Sequence, residues 1–152
     1  MKEKEKSVFI FRRDLRLEDN SGLLEALENS EEVLPIFIFD EDQVDKNKNE
    51  YFSDNAFQFM INSLYELEES LENKKGKLVL FKGNYEKVLN SLLKELKNKD
   101  KSFNSVYVNK DYTPFSRNRD KKIQDVCKKN DFNFYRIADY ALSDIESIET
   151  NQ

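Results

Sequence analysis

FRRDLRLEDN, Phe11–Asn20, stands between the apolar run VFIF (Val8–Phe11) and a helical pattern that begins near Ser21. Three arginines and three acids crowd into this loop between a buried strand and a helix. Such a loop belongs at the carboxyl end of a parallel sheet, where α/β proteins bind ligands. Taken alone, Arg16 and Asp19 can equally be a pair that holds the strand-to-helix turn.

Outward from that loop, strands and helices alternate. Asn20 or Ser21 can cap a helix to about Asn29, with Leu23, Leu24 and Leu27 expected on one face. VLPIFIF (Val33–Phe39) reads as a second strand whose near-continuous apolar character predicts cover on both faces. Pro35 lacks a ladder donor, so it is placed at the strand's entrance. A polar loop, Asp40–Glu50, leads to a helix starting at Ser53 or Asp54 with an apolar stripe of Phe57, Met60, Ile61, Leu64, Leu67 and Leu71. Leu78–Phe81 is the third strand, and Gly83 with Asn84 turns the chain into a helix carrying Val88, Leu89, Leu92, Leu93 and Leu96. Ser105–Asn109 is the fourth strand, followed by a polar loop, a helix to about Lys129 and a fifth strand, Asn133–Ile137. The fold expected is α/β: a doubly wound, Rossmann-like, five-stranded parallel sheet with helices on both faces. Residues 1–6 are expected as a flexible amino terminus, 7–144 as one domain and 145–152 as a tail.

Composition narrows the chemistry. The 152 residues are 38% hydrophobic and 36% charged, a very polar globular chain able to bury a core without disulfide or metal. The net charge of −5 argues against a surface that grips a polyphosphate backbone throughout. The stretch Lys110–Lys129 holds seven basic residues against three acids, which reads first as a solvated helix face. With no histidine, neither a Ser-His-Asp nor a Cys-His mechanism can be assembled. Cys127 lies at helical spacing beside Ile123 and Val126 and reads as a small core residue. The three glycines form neither a dinucleotide fingerprint nor a P-loop. The charged start MKEKEK and the lack of any run of about 18 apolar residues predict a chain without signal peptide or membrane span, intracellular in the cytoplasm or nucleus and not secreted.

Two loops carry a family resemblance. FRRDLRLEDN has the pattern aromatic, Arg, any residue, Asp-Leu-Arg, two residues, Asp-Asn, and resembles the opening of the DNA photolyase and cryptochrome family. NKDYTPFSRNRD (Asn109–Asp120) resembles the segment after the fourth strand in the same family, with Asn-x-Asp, Tyr-Thr-Pro-aromatic and Arg-x-Arg-Asp. The similarity runs from about Ser7 to Asp144. It implies the amino-terminal α/β antenna domain of a deoxyribodipyrimidine photolyase, acting in light-dependent DNA repair, with the helical FAD domain absent. By that resemblance the family is a carbon–carbon lyase, the chain is not catalytic by itself, and its partner is a helical FAD-binding domain, as a separate chain or a missing part. DNA would be touched only indirectly, and no membrane is implied. A stand-alone nucleotide- or flavin-binding module and a cryptochrome-type light-signalling fragment are the alternatives.

The resemblance also implies a site. An antenna chromophore would sit at the carboxyl-end crevice near the first and fourth strands, with Arg13, Asp14, Phe39, Asp40 and Asp111 as candidate contacts. Arg13 would bond an anionic or carbonyl edge, Phe39 would stack on a ring, and Asp111 matches a position resembling a deazaflavin contact. Folate-binding members carry Asn-Glu where this chain has Phe115 and Ser116, so a deazaflavin or flavin is favoured over folate. Ala56 stands where some relatives have an arginine, which removes one anion contact. FAD itself is expected only in the missing domain. Arg117, Arg119 and Asp120 are assigned a structural role near the start of the fourth helix, with docking to a partner domain as the alternative. The first loop reads finally as a family marker that locks β-strand to helix and borders the pigment.

Overall fold

A computed structural model describes residues 5–12, 14–41, 54–111 and 114–138 of the chain. Among the described residues five strands, β1 (Lys6–Phe11), β2 (Glu32–Asp40), β3 (Val79–Gly83), β4 (Phe103–Asn109) and β5 (Asn133–Ile137), alternate with four helices. The helices are α1 (Ser21–Asn29), α2 (Asp54–Asn73), α3 (Tyr85–Lys99) and α4 (Pro114–Lys129). All pairings are parallel and the order is β3-β2-β1-β4-β5, so the direction of winding reverses between β1 and β4. That reversal opens a crevice at the carboxyl ends of these two strands.

Two cores flank the sheet. On one face α3 and α4 pack Leu89, Leu93, Ile123 and Cys127 over Val8, Ile10, Ile36, Val106 and Val108. On the other, α1 and α2 pack Leu23, Ala26, Leu64, Leu67 and Leu71 over Phe9, Phe11, Phe37 and Tyr107. β1, central and buried on both sides, accounts for its unbroken apolar run. Cys127 lies in the core as its spacing predicts, and burial pushes its thiol up to about 12. Pro35 pairs with Phe9 of β1, while the β2–β3 ladder begins only at Ile36, so the proline costs that ladder nothing.

The helix α1 departs from its predicted face. Leu24 and Leu27 are 56% and 55% exposed, and Gly22, Leu23 and Ala26 face the sheet instead. The cause is a close approach: a Cβ on Gly22 would lie 2.5 Å from Asn109 Oδ1. Only glycine lets the first turn of α1 sit against β4, and that contact sets the helix's rotation. The turn before α3 behaves as its sequence predicts, with Gly83 at φ 147° and Asn84 accepting from the Lys87 N–H at 3.1 Å. The helix α2 begins at Asp54, one of its two expected starts, while the polar loop 42–53 and the tail from residue 139 lie outside the described residues.

Candidate functional site

The loop after β1 is held by its own polar groups. Asp14, 6% exposed, accepts from the Arg12 backbone N–H at 2.8 Å with one oxygen and from Asn109 Nδ2 with the other. Asn109 also donates to Asn20 Oδ1 at 2.6 Å and accepts from the Gly22 N–H at 2.7 Å. Asn20 in turn caps α1 by accepting from the Leu23 N–H at 3.0 Å and donates to the Arg16 carbonyl at 2.9 Å. Arg16 holds the turn through main chain, donating to the Asp19 carbonyl at 3.0 Å, and Asp19 adopts φ 52°. The loops after β1 and β4 are thus one hydrogen-bonded unit.

Arg12 joins this unit to α4. Its guanidinium donates to Asp120 and to the Asn109 carbonyl, both pairs buried. Arg136 Nε lies 2.8 Å from the other Asp120 oxygen but is not aligned as a hydrogen bond, so it contributes charge alone. Asp120 sits in the second turn of α4 and serves as the buried anchor of β1 and β5, a more specific role than a favourable charge near a helix start. Beside this anchor Tyr85 opens α3, with Arg119 5.3 Å from its ring centre. Burial pushes the phenol up to about 12, opposed by the charges of Arg119 and Arg12. Its buried hydroxyl has no hydrogen-bond partner among the described residues.

The candidate contacts divide by surroundings. Arg13 lies outside the described residues. Asp14 is committed to the internal network, with both oxygens used. Phe39 is half-buried, packs edge-on to Phe37 at 4.9 Å and belongs to the α1–α2 face. Asp40 follows it at the end of β2, half-buried, and raises the Tyr85 phenol from the other face. Asp111, half-buried, lies two residues beyond Asn109. In register Phe11 pairs with Phe37, and Phe9 with Tyr107. Phe39, near the end of β2, and Asp111, two residues beyond β4, therefore lie at the same level along the sheet on either side of β1.

Arg12, Asn109 and Tyr85 do not stand out as site residues in the sequence. The signal for Asn109 is a buried polar residue closing an apolar strand, and for Arg12 a cation directly following one. Among the described residues no cluster of His, Cys, Asp or Glu is arranged to hold a metal.

The sequence profile of the DNA photolyase family matches residues 7–152. The chain belongs to the DNA photolyase family. Relatives in that family include cryptochrome-1 of Aedes aegypti, 32% identical over 148 residues that make up 93% of this chain and 26% of that protein. The deoxyribodipyrimidine photo-lyase of Agrobacterium fabrum is 28% identical over 141 residues, 92% of this chain and 27% of that protein. Among solved structures, an archaeal photolyase from Sulfolobus tokodaii, described with two FAD molecules and a novel light-harvesting cofactor, superposes with a TM-score of 0.79. It is 45% identical over 89% of this chain and 29% of that one. The chain spans about a quarter of the length of these curated relatives and corresponds to the amino-terminal α/β domain of photolyases and cryptochromes. In the family that domain is paired with a carboxyl-terminal helical FAD-binding domain. No helix among the described residues is long and apolar enough to cross a membrane.

Proposed function

We propose that this domain binds a flavin or deazaflavin as a light-harvesting chromophore and serves a helical FAD domain in light-driven reversal of pyrimidine dimers. The observation that carries this reading is the position of half-buried Phe39 and Asp40 on one side of β1 and half-buried Asp111 on the other, at the carboxyl end of the sheet. The 45% identity to a photolyase described with a light-harvesting cofactor supports the same choice of ligand class. Phe39 would offer a ring edge or face, Asp40 and Asp111 would accept from the ring N–H and side-chain hydroxyls, and Arg13 would meet a carbonyl or phosphate. Asp14 would act through Asn109, fixing the two loops, and not by touching the pigment. When bound, the pigment supplies absorption in the near-ultraviolet or blue and passes excitation to reduced FAD.

Equilibrium dialysis against FMN, FAD, a deazaflavin, folate and AMP tests the ligand class. Retention of a flavin or deazaflavin over folate and AMP is expected; retention of AMP alone, or of none, would overturn it. A light-signalling role is favoured by the similarity to cryptochromes, insect cryptochrome-1 among them. Adding this chain to a helical FAD photolyase domain should raise the quantum yield of dimer repair under blue light, whereas signalling predicts no gain.

A further inference from the structure

A second concavity lies beside the carboxyl half of α1. It is a cleft of about 1010 Å³ whose floor is Tyr107 of β4 and Tyr135 of β5. The two rings stack at 4.8 Å with 27° between planes. Tyr135 remains 41% exposed, whereas Tyr107 is only 6% exposed. Glu5, Glu25, Glu28 and Glu31 line the walls, against one described cation, Lys101. Burial raises the Tyr107 phenol above its usual range, and Tyr135, Glu25 and Glu5 raise it further, so these carboxylates act on the floor itself.

The rotation of α1 that Gly22 enforces also leaves Leu24 and Leu27 exposed on the stripe that carries Glu28. Stacked aromatic rings and a row of carboxylates, with exposed Leu24 one turn from Glu28 on the same helix, match a chain segment bearing arginine or lysine with apolar residues between. Guanidinium groups lie well over tyrosine faces and pair with carboxylates. Phosphate-bearing partners are repelled by the same four glutamates. The chain's own residues 139–152 carry four acids and neither lysine nor arginine, so they are a poor electrostatic match.

We infer that the α1–β5 cleft is a docking site for a basic, apolar-containing segment of another polypeptide. The inference stands on the cleft alone and is independent of what the carboxyl-end crevice binds. Its test is fluorescence anisotropy of a labelled hexaarginine peptide with the full 152-residue chain, with hexaglutamate and a DNA duplex as counter-probes. Saturable, salt-sensitive binding of hexaarginine is expected, weakened about tenfold by the double variant E25Q/E28Q. Tyr135→Leu should weaken it about threefold or more through the lost cation–π contact. The control E69Q/E72Q, which removes two exposed acids from α2, should leave it within about twofold. Equal losses in both double variants would reveal diffuse attraction and overturn the inference, as would preference for the duplex. Self-association of the chain abolished by E25Q/E28Q would assign the cleft to a second copy and also overturn it.

Discussion

The chain leaves β1 and β2 at the same end of the same sheet, yet the first strand runs into a buried hydrogen-bonded network while the second closes on half-buried Phe39 and Asp40. After β1, Arg12, Asp14 and Asn20 spend their polar groups on Asn109, Asp120 and the first turn of α1, all buried. After β2, Phe39 and Asp40 are half-buried at the crevice. The described residues of the motif that identifies the family are therefore mainly scaffold. Density of charge in a loop does not by itself mark the contact surface. A buried charge is far more often paired within the protein than offered to a ligand.

The contrast can be broken most severely at Asp120. Asp120→Ala leaves the buried Arg12 guanidinium without its carboxylate and should cost about 3–5 kcal/mol in a urea melt. Asn109→Ala orphans the Gly22 N–H and an Asp14 oxygen and should cost about 2–4 kcal/mol by the same measurement. A loss below about 1 kcal/mol in either variant would mean that the loops are not locked as described. At the ends of β2 and β4, Asp40→Ala and Asp111→Ala should weaken flavin binding about tenfold each.

The secondary structure was legible because each element carries its own period. The apolar stripe of α2, from Phe57 to Leu71, and the unbroken run of β1 depend on local spacing and on burial by any neighbour. The rotation of α1 was not legible. It is set by Gly22 meeting Asn109, 87 residues away in sequence, and no window around Leu23–Leu27 contains that contact. The same holds for the site: the Arg12–Asp120 pair spans 108 positions, so a loop of three arginines gives no sign of which one is buried. The half-burial of Asp40 and Asp111 likewise depends on strand order, which spacing alone leaves open.

The smallest expected effect is on pH dependence. Tyr85 and Cys127 both hold their protons more tightly folded than unfolded, each pushed up to about 12 by burial. Their stability contribution is complete below the unfolded values near 10 and 9 and is lost as pH rises toward 12. The melting temperature should therefore fall progressively above pH 9, and the double variant Y85F/C127A should flatten that fall. An unchanged slope would place the alkaline sensitivity elsewhere.

The most direct test of scaffold against contact is one flavin titration, followed by quenching of flavin fluorescence, of the parent chain beside Asp40→Ala and Asp14→Asn. The account predicts saturable binding by the parent, about tenfold weaker binding by Asp40→Ala, and parent-like affinity for the folded fraction of Asp14→Asn despite its lower stability. Undiminished binding by Asp40→Ala together with loss of binding by Asp14→Asn would contradict it.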